Sequence, residues 1–235
     1  MLPLRERLIV ALDVPTAAEA HRIVASLGET VTTYKVGMQL YTAAGPQLVR
    51  DLVTSGRKIF LDLKYHDIPN TVAAAAREAA QLGVSMLTVH GAGGTKMLRA
   101  AVEAARERSP SSQLQVLAVT VLTSMAEPDM NEVGVYGNVL EQVVRLASIA
   151  LAAGCRGVVS SAQEVKALRA KLGSDFLAVT PGVRPAGTAH GDQARVVTPA
   201  EAIAAGATHI VVGRPITAAA NPRDVAETIL RACSL

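Results

Sequence analysis

Short apolar runs rich in β-branched residues alternate eight times with longer Ala- and Leu-rich stretches of helical period, and this alternation limits the fold more than any other feature. The runs are RLIVALDV (7–14), TTYKVGMQL (32–40), KIFLDLK (58–64), MLTVHG (86–91), QVLAVTVLTS (115–124), GVVSSA (157–162), FLAVTPGV (176–183) and HIVVGRPI (209–216). Between them lie helical stretches such as TAAEAHRIVASLG, NTVAAAAREAAQLG and NVLEQVVRLASIALAAG. Gly28, Gly56, Gly83, Gly154, Gly173 and Gly206 stand where helix C-caps belong. Eight such units in 235 residues predict an α/β chain closed into a (β/α)8 TIM barrel, whose usual size is about 250 residues. A doubly wound open sheet is the alternative, but no G-x-G-x-x-G follows the first strand, where a dinucleotide site would need it.

The whole of 1–235 reads as a single domain, with no linker or low-complexity segment. Half of the residues are hydrophobic and 18% are charged, a composition that argues against disorder. The net charge is +3, yet the basic residues are scattered and no run of them is interleaved with aromatics, so nucleic acid is not an expected partner. Cys155 and Cys233 are too few for a disulfide framework or a zinc site. The opening MLPLRERLIVALDV has too short an apolar run for a signal peptide, and no stretch approaches the roughly 20 apolar residues of a membrane span. The expectation is a cytoplasmic protein of enzyme size.

In a (β/α)8 barrel the reacting groups lie at the C-terminal ends of the strands or in the loops just after them. Asp13, Lys35, Asp62, Lys64, His90, Thr123, Gly213 and Arg214 all fall in or at the ends of predicted strands. Side chains alternate along a strand, so Asp62 and Lys64 should share one side, converging at the barrel mouth. A structural ion pair is the plain alternative for those two residues. Lys35 and Asp67 weigh against it, because alternating charges in one apolar place cost several kcal/mol of desolvation. His66 and His90 read as hydrogen-bonded structural histidines, since nothing near them has the spacing of a metal triad or a Ser/His/Asp set. Asp67, before Ile68 and Pro69, also suits a turn leading into a helix capped by Asn70 or Thr71.

A second signal follows the seventh strand. TPGVRPAGTAHGDQARVVTP carries three Gly and three Pro, is too long for an ordinary turn, and has the character of a lid or binding loop at about 182–197. The eighth strand then ends in Gly213, Arg214 and Pro215. Barrels of this type bind phosphate after strands 7 and 8, where glycine backbone and an Arg fork supply donors. A small phosphorylated substrate is the expectation, with a surface salt bridge as the alternative role of Arg214.

The segments VALDV (10–14), YKVGMQL (34–40), DLKYHDIPNT (62–71), VTVLTS (119–124), TPGVRP (180–185), GDQARVVTP (191–199) and VVGRPI (211–216) together resemble the orotidine 5′-monophosphate decarboxylases of bacterial type. The likeness spans essentially the whole chain, and D-x-K-x-x-D followed by I-P-N-T is its most specific part. It implies a homodimer that converts the nucleotide orotidine 5′-monophosphate to uridine 5′-monophosphate and CO2 in the last step of de novo UMP synthesis, without metal or organic cofactor. By position, Lys64 would protonate C6 of the pyrimidine, with Asp62 beside the departing carboxylate. Asp67 and Thr71 would be contributed across the dimer interface. Lys35 and Asp13 would hold ribose hydroxyls and complete the charge network. Thr123 or Ser124 would contact the pyrimidine, while Arg184, Gln193, Gly213 and Arg214 would bind the phosphate.

Two other readings stay open at the level of sequence. A related barrel could act on a sugar phosphate, as a metal-dependent decarboxylase or a Schiff-base aldolase. Divalent-metal chemistry would want a further carboxylate near Asp62, where the second strand supplies Lys35, and a Schiff base needs a neutral lysine, which neighbouring carboxylates oppose. A non-catalytic phosphoribosyl-binding barrel would need the Arg214 end but not the charges of the third strand.

Overall fold

The computed structural model describes residues 3–107, 114–185 and 197–234. In chain order the elements are α1 (Leu4–Arg7), β1 (Leu8–Ala11), α2 (Ala17–Leu27), β2 (Thr33–Gly37), α3 (Met38–Thr54), β3 (Lys58–Tyr65), α4 (Pro69–Gln81) and β4 (Met86–His90). A 3-10 turn at Gly91–Gly93 leads into α5 (Gly94–Glu107), β5 (Gln115–Val119), α6 (Glu127–Glu132), α7 (Val139–Ala152), β6 (Gly157–Val159) and α8 (Ala162–Leu172). The chain closes with β7 (Leu177–Thr180), α9 (Pro199–Ala204), β8 (His209–Val212), α10 (Arg214–Thr217) and α11 (Pro222–Ala232). The eight strands form a closed barrel in sequence order, every neighbouring pair parallel and β8 returning to β1. The predicted (β/α)8 architecture is the one observed.

The strands read as unbroken apolar runs because both of their faces are buried. Ile9, Ala11, Phe60, Met86, Leu117 and Val179 fill the barrel interior. The alternate residues, such as Leu8, Val10, Val36, Leu61 and Leu87, pack outward with the helices. Within the helices the apolar stripe does the same work: Ala20, Ile23, Val24 and Leu27 of α2 are all buried. Thr16 caps that helix by accepting from the Glu19 N–H at 3.2 Å, and Ser161 with Glu164 forms a reciprocal capping box on α8. All six glycines assigned to helix ends have positive φ, which glycine adopts without the steric cost of a Cβ.

Two expectations need correction. Helix α4 opens at Pro69 with Ile68 as N-cap, so Asn70 and Thr71 lie inside its first turn instead of capping it. Proline suits that first position because its missing N–H is one the helix would leave unbonded. The strands also end earlier than their apolar runs: β5 stops at Val119, β8 at Val212, and the residues after β2 turn directly into α3. Past those points the chain leaves the ladder, yet Val121 stays buried and Leu122 lines the barrel mouth, which is why the apolar pattern runs on.

Candidate active site

The site is built around an irregularity in β3. From Leu61 paired with Leu87 to Tyr65 paired with Val89, the chain advances four residues along β3 (61 to 65) and only two along β4 (87 to 89). The surplus bulges at Asp62–Lys64, and Lys64 takes φ +50°, the only positive φ of a non-glycine residue among the described residues. A side chain in that region costs on the order of 1–3 kcal/mol, and such strain concentrates at functional sites. Asp62 and Lys64 do meet, as simple strand alternation foresaw, but a distorted strand brings them together.

Four charged groups follow one another across the mouth. The Lys64 Nζ lies 3.0 Å from both carboxylate oxygens of Asp62. The Lys35 Nζ, from β2, is 3.7 Å from Asp62 Oδ2 and donates to Asp13 Oδ1 at 2.8 Å. The Lys35 and Asp62 side chains are only 13% exposed and Lys64 is 28% exposed, so solvent screens the pairs with Asp62 less than at a free surface, whereas the Asp13 side chain is 54% exposed. Each carboxylate is paired with an ammonium, so the charge on Asp62 is not left buried without a partner. Gly37, at the end of β2, keeps the space open: a Cβ there would stand 3.0 Å from the Lys35 Nζ and 3.2 Å from Asp13 Oδ1. The Thr88 hydroxyl of β4 completes the group, donating to Asp62 Oδ1 at 3.0 Å and accepting from the Lys64 backbone N–H at 2.9 Å.

The four charged side chains form one wall of a cleft of about 510 Å³ at the C-terminal end of the barrel. Thr123 and Ser160 contribute a second wall, after β5 and β6, while Gly182, Arg184, Gly213 and Arg214 come from the ends of β7 and β8. Of the pair Thr123 and Ser124, Thr123 lines the cleft. The long segment after β7 is pinched at its base: Val183 bridges Val197 in parallel fashion, and the Arg184 N–H donates to the Val197 carbonyl at 3.0 Å. Gln193, and the rest of the predicted loop from 186 to 196, lie outside the described residues.

Asp67 and Thr71 are not brought to the cleft of their own chain. Both are exposed; Asp67 Oδ1 accepts from the Ile68 N–H at 2.6 Å, and Ile68 itself is 66% exposed. His66 and His90 stack with centroids 5.1 Å apart and planes 13° apart, outside the cleft lining. Burial, then the neighbouring His66 and the Lys64 charge, lowers the His90 pKa. That direction agrees with a bare Nδ1, which accepts from the Ala92 N–H at 3.3 Å.

Thr88, Ser160 and Gly37 escaped the reading of the sequence. The Ser160 hydroxyl donates to Glu164 Oε2 at 2.6 Å, and that carboxylate also accepts from the Ser161 N–H at 3.0 Å. The S-x-x-E spacing of Ser161 and Glu164 was the available signal for this corner. Among the described residues no three His, Cys, Asp or Glu side chains gather in a way that could hold a metal ion. No helix among them is long and apolar enough to cross a membrane.

Comparison with known proteins agrees with the geometry. The family model described as "Orotidine 5'-phosphate decarboxylase / HUMPS family" matches residues 6–229. The chain belongs to that family. Within the orotidine 5′-phosphate decarboxylase / HUMPS family, the chain is 52% identical over 230 residues to a curated protein of Heliobacterium modesticaldum named orotidine 5′-phosphate decarboxylase, covering 96% of this chain and 95% of that one. A protein of the same name from Halorhodospira halophila is 52% identical over 223 residues, covering 95% and 94% of the two chains. The crystal structure of orotidine 5′-phosphate decarboxylase from Lactobacillus acidophilus superposes with a TM-score of 0.89 at 40% identity, covering 98% of this chain and 100% of that one. The solved relative shares the barrel over the whole of its own length.

Proposed function

We propose that this protein converts orotidine 5′-phosphate to uridine 5′-phosphate and CO2, the last step of UMP synthesis, and does so without a metal or an organic cofactor. One observation carries the reading: the Lys64 ammonium is held at 3.0 Å by both oxygens of Asp62 on a strained bulge at the barrel mouth. Breaking the bond from C6 to the carboxylate leaves an electron pair in an orbital in the ring plane, outside the π system, so the ring cannot delocalise it. A fixed cation aimed at C6 stabilises that pair, and it acts mainly once the charge has developed, which lowers the barrier instead of merely tightening binding. The electron pair then takes a proton from the Lys64 Nζ as CO2 departs, and the lysine regains its proton from solvent.

The remaining roles follow from position. Asp62 would sit beside the departing carboxylate, with Lys35 and Asp13 holding ribose hydroxyls. Thr123 would meet the pyrimidine edge. Arg184, Gln193, Gly213 and Arg214 would grip the phosphate, and the 182–197 loop would close over it. Phosphate binding at a distance from C6 supplies energy that offsets the cost of bringing a second carboxylate near Asp62. Exposed Asp67 and Thr71, flanking a largely uncovered Ile68, fit a homodimer in which each chain completes its partner's site. The cytoplasm is the compartment that suits two cysteines both free and buried.

The test is Lys64→Ala. Its kcat should fall by roughly a thousandfold or more while binding of uridine 5′-phosphate persists. Full turnover by that variant would remove Lys64 from the chemistry and return the charges of β3 to a structural role.

A further inference from the structure

We infer that Thr88 is a positioning residue of this site: its hydroxyl ties Asp62 to the Lys64 backbone and so sets where the Lys64 ammonium points. The inference rests on the decarboxylase reading but uses a residue that touches neither the cleft nor, on that reading, the substrate. Thr88 is fully buried in β4, between Leu87 and Val89, which pair with Leu61 and Tyr65 on either side of the bulge. It therefore stands opposite the surplus residues of β3, where regular backbone pairing between the two strands is interrupted.

The directions of its hydrogen bonds are fixed by chemistry. A backbone N–H can only donate, so the Thr88 oxygen accepts from Lys64 at 2.9 Å. An ionised carboxylate can only accept, so the Thr88 proton goes to Asp62 Oδ1 at 3.0 Å. The hydroxyl thus replaces a missing ladder acceptor for Lys64 and orients Asp62, whose two oxygens in turn hold the Lys64 Nζ. The result is a closed loop: backbone of residue 64, Thr88 hydroxyl, Asp62 carboxylate, ammonium of residue 64. A β-branched residue suits the task because its χ1 is stiff, so the hydroxyl does not wander. Without it, the partly buried Lys64 N–H loses its partner and the positive φ of Lys64 loses the bond that holds it.

Two substitutions separate positioning from packing. Thr88→Val keeps the shape and removes the hydroxyl; Thr88→Ser keeps the hydroxyl and removes a methyl group. For Thr88→Val, kcat for orotidine 5′-phosphate should fall roughly ten- to hundredfold, the effect of a lost hydrogen bond to a charged group, with affinity for uridine 5′-phosphate within about twofold of wild type. Thr88→Ser should recover most of kcat. A separate readout does not depend on turnover: exchange of the Lys64 amide proton, followed by NMR, should accelerate in Thr88→Val and stay slow in Thr88→Ser. Wild-type kcat and a protected Lys64 amide in Thr88→Val would overturn the inference. So would equal losses of kcat and ligand affinity in both variants, which would mark Thr88 as packing alone. A wild-type protein without turnover would sink the decarboxylase reading, and the amide exchange would still decide the part played by Thr88.

Discussion

Lys64 holds a backbone conformation that its own side chain disfavours, and Asp62 is the residue to which that arrangement is directed. Removing Asp62 leaves two ammonium groups, Lys35 and Lys64, facing any incoming carboxylate. Asp62→Ala should therefore lower kcat by roughly a hundredfold or more without raising KM, since ground-state binding of an anionic substrate gains what the transition state loses. A raised KM at unchanged kcat would make Asp62 a binding group only. A different residue is expected to contribute to acid stability. Burial lowers His209 at the start of β8 from 6.5 to about 4, with Glu6, Arg7 and Lys58 as its charged neighbours. The unfolded chain takes up this proton near pH 6.5 and the folded chain only near 4. The stabilising term is therefore intact above about 6.5, is lost as pH falls to about 4, and amounts to about 3 kcal/mol. Denaturant titrations should show a correspondingly flatter pH dependence over that range for His209→Gln; an unchanged slope would refute the assignment. At this scale the charged residues were legible because carboxylates and ammoniums are out of place at the end of an apolar strand. Thr88 was not, because a hydroxyl within MLTVHG looks like ordinary strand filling, and neither glycine nor proline marks the bulge opposite it.

Between β6 and β7 the barrel has no room for a side chain at one point. A Cβ on Gly157 would collide with the Leu177 carbonyl oxygen and stand 2.6 Å from its Cβ. Because strand backbones in a closed barrel cannot separate one pair without straining the rest, Gly157→Ala should cost about 3 kcal/mol or prevent folding. Chemical denaturation would read this, and wild-type stability in the variant would contradict it. The same closure explains what could be read from the sequence about the elements. Strands buried on both faces must be apolar throughout, and helices that return to the barrel floor stop at glycines such as Gly83 and Gly173, so eight units were visible. Their C-terminal limits were hidden, since residues such as Val121 and Leu122 remain apolar after leaving the ladder. The short helices α6 and α10 were also missed: six and four residues are too few to display a helical period.

As a whole molecule, the protein is proposed to work as a pair of chains, each lending Asp67 and Thr71 to the other. Lys64→Ala and Asp67→Asn proteins, each impaired alone, would then restore one intact site per mixed dimer. After free subunit exchange at equal amounts, about a quarter of wild-type activity should return. No recovery, with exchange verified, would confine each site to a single chain. Nothing in the sequence displays this pairing, because exposed Asp67 and Thr71 resemble ordinary helix-entry residues until the resemblance to a dimeric family gives them a second role. Incubating the purified protein with orotidine 5′-phosphate, with and without EDTA, and following loss of the orotate chromophore tests metal-free decarboxylation. Turnover unaffected by the chelator is the predicted result; a folded protein without turnover, or turnover abolished by EDTA and restored by magnesium, would contradict it.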